Sequence, residues 1–425
     1  MHGIHVPTRR VPVVSSQQTA ESKAFRATLV GTLVTSIGLG LTLPFTFVYF
    51  DRILGLPLPT VGLVVAATAA LALCATATGG VLADELGLGR VAVLGLGLQA
   101  VGTIVLAVAH VPVPGAVGLA VLSMGNSLVW PSLNGLVTYQ VPAERRSRAF
   151  AFRFGLMNVG IGIGSIIAAA TVSVSRPDSF HLVYVLDGTS TAIFAVILFF
   201  ALRNTTGWTA HRQGPGDVPR TSYRTVLRDR HFVAYLGVLW ALTIFGSAQT
   251  EGPWAAFVEL TPEGSARVIG LGFAANTLAI IVFQLPVERW TRTLRRSRLL
   301  VLSALIGAVA WVVTGIASVP GVPAAAAGTL FVLALGIFGI GDTFLSPVIN
   351  AMPNALAPDH LRGRYNALNS ATYPVSELVG PPLAGVLIGG SVPGAWVLTI
   401  TLGMLLTAGA AIVLGRRLPS TAELP

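Results

Sequence analysis

The sequence predicts an all-α membrane protein of twelve transmembrane helices in two pseudo-symmetric six-helix bundles. Three observations lead there. Of the 425 residues, 53% are hydrophobic and only 10% charged, too little polar surface to cover a water-soluble globule. Between polar or Pro/Gly breakers the chain divides into twelve apolar runs, each near the roughly 20 residues that a helix needs to cross a bilayer core. And one half repeats the other. Gly125-Asn126, Pro131, Asn134, Pro142, Arg146, Arg148 and Gly164 recur, at one constant offset, as Gly341-Asp342, Pro347, Asn350, Pro358, Arg362, Arg364 and Gly380. The repeated unit is a membrane hairpin: an apolar run with a Pro, a short Pro- and Arg-containing loop, then a Gly-studded apolar run. Duplicated bundles of spanning helices are a transporter architecture.

Taken in order, residues 1–24 hold Arg9, Arg10, Ser15, Ser16, Gln17 and Gln18 but no apolar core or cleavage site before Phe25, so a disordered N-terminal tail is expected and no signal peptide. Spans near 26–50, 59–83, 91–110, 115–140, 147–172 and 181–203 make an N-terminal bundle over 25–203. Residues 204–229, with Gly207, Gly214, Pro215, Gly216 and Pro219, are the longest polar stretch and form the interdomain loop. It reads as a flexible tether, or as a short amphipathic helix around Tyr223 to Arg230 lying on anionic lipid. Spans near 231–255, 266–288, 299–319, 323–352, 364–389 and 394–415 make a C-terminal bundle over 230–417, followed by a tail over 418–425.

Positive charge sets the orientation, because Lys and Arg are retained in the cytoplasm during insertion. Of 27 Lys and Arg residues, only Arg52, Arg176 and Arg267 fall in loops that are external when the N-terminus is cytoplasmic, so both termini are expected inside. The net charge of +10 is therefore a topology signal, and no nucleic-acid partner is expected. Cys74, the sole cysteine, lies inside a span; it excludes an intramolecular disulfide and a Cys-pair metal site and reads as a small packing residue.

Carboxylates within apolar spans are the most informative single residues, because charge at bilayer depth is costly and is retained for a pathway, a partner or a proton. Glu377 lies near the middle of the eleventh span, on one face with Asn366, Asn369 and Tyr373. The fourth span has a comparable stripe of Ser123, Asn126 or Ser127, Trp130, Asn134 and Thr138, and the tenth repeats it with Asp342, Ser346 and Asn350. Such stripes line a watery cavity between the halves. Glu377 and then Asp342 are the candidates for carrying a proton as water access alternates; a structural carboxyl, or a partner for a cationic substrate, are the alternatives. Asn158, Trp240, Gln249 and Asn276 complete the predicted cavity set, although aromatic residues in helices more often pack. Asp187 and Glu251 sit closer to water and read as interfacial charges.

The segment Gly80-Val81-Leu82-Ala83-Asp84-Glu85-Leu86-Gly87, after the second of twelve spans in two halves with a basic central loop, resembles the signature of the major facilitator superfamily, matched at Gly80, Asp84, Gly87 and Arg90, with Glu85 in place of the usual basic residue. The resemblance covers nearly the whole chain. It implies a cytoplasmic latch in which Asp84 pairs with basic groups and with the N-terminal end of the eleventh helix, biasing the balance of two shapes. The second-half counterpart, Gln284 to Arg289, is a degenerate copy. The family's exporters also carry a Gly-rich stretch with Gly-Pro in the fifth span. Here Gly160, Gly162 and Gly164 precede Ser165, whereas the eleventh span carries Gly380, Pro381, Pro382 and Gly385. Gly160, Gly164, Gly380, Pro381 and Gly385 read as helix-packing positions. The fourth span lacks the Arg that the exporters use in proton coupling; Arg153 in the fifth is the nearest substitute, unless it snorkels to the headgroups.

No nucleophile motif, metal-spaced His/Cys cluster or phosphate loop points to an enzyme, and Gly87 to Ala92 matches a dinucleotide fingerprint only by chance. The expectation is a proton-coupled exporter, resembling the bacterial multidrug branch, moving small amphipathic or hydrophobic compounds by alternating access across the cytoplasmic membrane. It uses no cofactor beyond the coupling proton, and its partners are a small-molecule substrate and membrane lipid, with the chain a monomer. Proton-coupled uptake of a small metabolite is the second reading.

Overall fold

The computed structural model describes residues 16–209, 223–262, 264–358 and 361–423. Most of the expected N-terminal tail, 210–222 of the interdomain loop and 424–425 of the C-terminal tail lie outside the described residues. The long helices are α1 (Ser16–Thr42), α2 (Leu58–Leu86), α3 (Leu88–Ala107), α4 (Pro112–Gln140), α5 (Arg146–Thr171) and α6 (Pro177–Leu202) in the first half. The second half has α7 (Arg230–Phe245), α8 (Ala266–Thr291), α9 (Arg296–Ala317), α10 (Ala324–Leu356), α11 (Arg362–Ser370), α12 (Thr372–Ile388) and α13 (Gly394–Arg417). No strand occurs among the described residues.

Among the described residues, eleven helical stretches are long and apolar enough to cross a membrane. The twelfth predicted span, the eleventh in order, is divided at Ala371 into α11 and α12. Three further boundaries differ from expectation. Helix α1 begins at Ser16, so the last part of the predicted tail is helical. The same span tightens after Thr42, where Pro44 removes a backbone donor, into a 3₁₀ turn over Leu43–Phe45 and a π turn over Tyr49–Ile53. The interdomain helix is a single turn, Tyr223–Val226, and Arg230 belongs to α7, whose first N–H groups are capped by Asp229: its Oδ1 accepts from His231 N at 2.9 Å and Phe232 N at 3.3 Å.

Packing follows the sequence duplication. In the first half α1 packs on α5 and α6, α3 on α4 and α6, and α2 on α4. In the second, α7 packs on α12 and α13, α9 on α10 and α13, and α8 on α10, which is the same set of pairs six spans later. The halves meet through α2 against α12 and α5 against α8, which the pseudo-twofold exchanges.

Glycines make these approaches possible. A Cβ on Gly160 would meet Leu33 O at 2.7 Å and one on Gly164 would meet Gly40 Cα at 2.9 Å, so α5 lies backbone to backbone on α1. Between the halves, a Cβ on Gly62 would meet the Pro381 carbonyl carbon at 2.9 Å, and one on Gly385 would meet that of Leu58 at 3.1 Å. Gly270 approaches Ser165 and Ala169 in the same way. All these inter-half approaches lie where α2 and α8 begin and α5 and α12 end, away from the basic loops. The protein is sealed at that end. Cys74 is exposed on the flank of α2 and does not pack inside the bundle.

Candidate functional site

Arg153, on α5, is buried and does not snorkel. Its Nε donates to Thr32 Oγ1 at 3.3 Å and its Nη1 to Asn134 Oδ1, and the guanidinium lies 5.1 Å from the centroid of the Trp130 ring. Three helices thus hold one cation, with neutral partners only among the described residues. Trp130 covers it while remaining 39% exposed, and Asn134 is exposed too, so this wall of the first half is reached by solvent. Asn126 is half-buried and accepts from Gln99 Nε2 at 3.1 Å.

The second half supplies the acidic wall. Helix α7 stops at Gly246, a one-turn helix spans Ser247–Thr250, and a further break at Glu251 and Gly252 precedes Pro253–Glu259. Gly252 has φ 133°, the left-handed side where an L side chain is strained, and a Cβ there would meet Phe47 of the first half at 2.7 Å. The carbonyls freed by the first break need donors. Gln249 Nε2 donates to Ile244 O at 2.8 Å and Trp311 Nε1 to Phe245 O at 3.0 Å.

Held in this interruption, Glu251 stands within electrostatic reach of Asp342 on α10 and Glu377 on α12, and Tyr373 within reach of Glu251 and Asp342. Protein surrounds all four, yet Glu251 is exposed, Tyr373 is 51% exposed, and Asp342 and Glu377 are half-buried, so solvent enters the space they face. Asp342 also borders a narrow crevice with Leu242, Ser303, Phe338 and Met404.

Three residues expected at the cavity are committed elsewhere. Gln249 is fully buried: besides Ile244 O, its Nε2 reaches Gly380 O at 3.2 Å and its Oε1 accepts from Trp396 Nε1 at 2.8 Å. Asn369 is buried, accepting from Tyr235 OH at 2.9 Å and donating to Ile349 O at 3.1 Å. Asn158 is buried, its amide bonded to Phe154 O of its own helix at 3.0 Å. Asn276, half-buried, ties α8 to α10 through Leu335 O at 3.1 Å. Trp240 is half-buried, its indole N–H without a partner among the described residues.

At the basic end, Gly80 and Asp84 lie in the last turns of α2, and Asp84 is exposed with no ion pair among the described residues. Gly87 links α2 to α3 with φ 91°, and a Cβ there would meet Trp208 O at 2.7 Å. Arg90 lies 5.8 Å from the centroid of the Trp208 ring. Asp84 thus stands exposed at the end opposite to the one where the halves approach backbone to backbone.

Two carboxylates read as interfacial are not. Glu251 belongs to the acidic group, and the signal was the Gly252-Pro253 that follows it, which interrupts the helix. Asp187 is buried within the first half, where its Oδ2 accepts from Thr42 Oγ1 at 3.1 Å and Gly38 leaves room for it. His181, Tyr184, Asp187 and Thr191 form a stripe at steps of three and four, the pattern that picked out the eleventh span.

The family model for the Major Facilitator Superfamily matches residues 28–262 and 251–425. Among curated relatives, the uncharacterized MFS-type transporter YttB of Bacillus subtilis is 22% identical over 94% of this chain and 97% of its own. The quinolone resistance protein NorA of Staphylococcus aureus is 23% identical over 83% and 86%, and a Na(+), Li(+), K(+)/H(+) antiporter of Planococcus maritimus is 22% identical over 85% and 88%. Among solved structures, a peptide transporter POT in complex with sulfate superposes with a TM-score of 0.73 at 17% identity, covering 95% of this chain and 96% of that one; the likeness is one of fold.

Proposed function

The chain belongs to the major facilitator superfamily, an integral membrane transporter and not an enzyme, and from that premise we propose that it exports small amphipathic or hydrophobic compounds in exchange for protons. We place it in a bacterial cytoplasmic membrane with both termini and the basic loops in the cytoplasm, acting as a monomer without a cofactor. One observation carries this reading: Glu251 stands within electrostatic reach of Asp342, Glu377 and Tyr373, from two other spans, on a solvent-reached face of one half.

Carboxylates this close titrate as a set and not one by one. A proton and the cationic group of an amphipathic substrate compete for the same negative charge, and competition at one site that opens to alternate sides gives exchange. The unlatched Asp84 and the sealed opposite end then correspond to the inward-facing shape. Resemblance to a quinolone resistance protein and to a cation/proton antiporter supports the drug and proton parts of the reading.

The test is proton flux in proteoliposomes holding a pH-sensitive dye, challenged with cationic and neutral drugs, native protein against Glu377→Gln. Drug-dependent proton release that vanishes in the variant is the expected result; native flux in the variant returns Glu377 to a structural role. The second reading, proton-coupled uptake, is favoured by one feature: the Arg153 cation on the half opposite the carboxylates suits a small zwitterion, and solved structures of this fold include peptide transporters. A protein that moves protons with no drug but with a small zwitterion is an uptake carrier.

A further inference from the structure

We propose that a pocket at the basic end, between the start of α1, the end of α4 and the start of α5, binds an acidic phospholipid of the adjoining leaflet by its phosphate. The cavity has a volume of about 1060 Å³ and is bordered by Arg145, Arg146 and Arg148, with no acidic residue among the described residues that line it. It lies outside the acidic group of the second half and takes no part in the proposed exchange.

Two features of the pocket ask for an occupant. Gln140, the last residue of α4, is only 8% exposed, and both its amide oxygen and its amide nitrogen are buried without a hydrogen-bond partner among the described residues. A buried amide left unpaired on both atoms is unfavourable, and native proteins rarely leave one so unless something fills the site. The arginines divide their work. Arg146 is fixed, its Nη2 donating to Thr138 O at 2.6 Å and its Nε to Val141 O at 3.2 Å, which caps the last carbonyls of α4. Arg145 and Arg148 are exposed and have no partner among the described residues.

The remaining wall excludes a bare anion as the best fit. Phe25 and the 58% exposed Phe152 give the pocket an apolar side, and it opens where α4 ends and α5 begins, the level at which headgroups meet acyl chains. Guanidinium groups recognise phosphate oxygens through paired N–H donors, and a Gln amide adds a donor and an acceptor for a glycerol headgroup.

The test is lipid titration of the purified full chain by native mass spectrometry and by thermal unfolding, with phosphatidylglycerol, phosphatidylcholine and inorganic phosphate as probes. Phosphatidylglycerol is expected to bind and to raise Tm, the other two to do so far less. Arg145→Gln with Arg148→Gln should weaken phosphatidylglycerol binding about 30-fold, from the contribution of a basic residue near an acidic leaflet, and leave the lipid-free Tm unchanged because both side chains are exposed. Gln140→Leu should also weaken lipid binding while the lipid-free protein is as stable or more so. Equal binding of phosphatidylcholine, equal stabilisation by inorganic phosphate, or native affinity in the double variant would each overturn the proposal.

Discussion

The guanidinium of Arg153 lies 5.1 Å from the centre of the Trp130 ring while also bonding Asn134 and Thr32, so α1, α4 and α5 share one buried cation. The arrangement depends on the planar fork of Arg, which an ammonium cannot reproduce. Arg153→Lys is expected to keep the charge yet cost about 1.5–3 kcal/mol through lost charge-assisted bonds, and to cut drug-driven flux. Trp130→Leu should cost about 0.5–2 kcal/mol through the lost cation–π contact. Thermal unfolding and flux measured on both variants decide it: a Lys variant with native Tm and flux means that charge alone matters there.

Glu251 repels both Asp342 and Glu377 when ionised, so the group is held together against its own electrostatics. Removing one charge should relieve the others. Glu251→Gln is expected to stabilise the protein by about 1 kcal/mol at alkaline pH, on the scale of a like-charge pair in a medium of intermediate dielectric, and to abolish drug-coupled proton release. Stability gained with exchange lost is the signature of a strained functional group. If Glu251→Gln exchanges protons as the native protein does, Glu251 stands outside the coupling set.

The all-helical membrane fold and the duplication were legible in the sequence because each rests on short-range physics: run length against bilayer thickness, and repeated spacing. What escaped was the set of interruptions. Gln249 reads as a cavity amide from its position in an apolar span, but the break at Gly246 frees the Ile244 carbonyl, which claims it, and Gly380 O of α12 accepts from the same amide. Asn369 is claimed in the same way by Tyr235, from a helix distant in sequence. A polar stripe shows that a helix face meets polar groups; it does not distinguish water from another helix. Glu251 was missed for the converse reason, since counting residues from the helix end assumes an unbroken helix.

Gly62 and Gly385 let α2 and α12 close the sealed end backbone to backbone. A Cβ on Gly385 would meet the Leu58 carbonyl carbon and the Pro59 Cα, each at 3.1 Å, and backbone atoms on both sides leave little to give. Gly385→Leu is expected to penalise the closed shape by about 1–3 kcal/mol, typical of overpacking, and so to shift the population toward opening at that end. Spin labels at the ends of α2 and α12 in a Cys74→Ala background read the distance; a distribution unchanged by Gly385→Leu means that the seal is made elsewhere.

Glu259, beyond the end of the seventh span, ties the same seal to pH. Burial pushes its carboxyl above the ordinary glutamate range, and the attraction of Arg52, from the other half, partly opposes the rise. Arg52 is shared with Asp51, whose Oδ2 lies 3.4 Å from its Nε. When the halves part at this end, Glu259 regains water and its ordinary value. The closed shape therefore holds the proton more tightly, so acidification on that side favours closure, and the contribution is lost as pH rises through the raised value. Glu259→Gln, neutral at every pH, should flatten this response. Arg52→Gln removes the opposing attraction and should move the transition to higher pH. Label distances recorded across a pH series on the three proteins give the answer: a native response identical to that of Glu259→Gln would place the pH sensitivity of closure in another group.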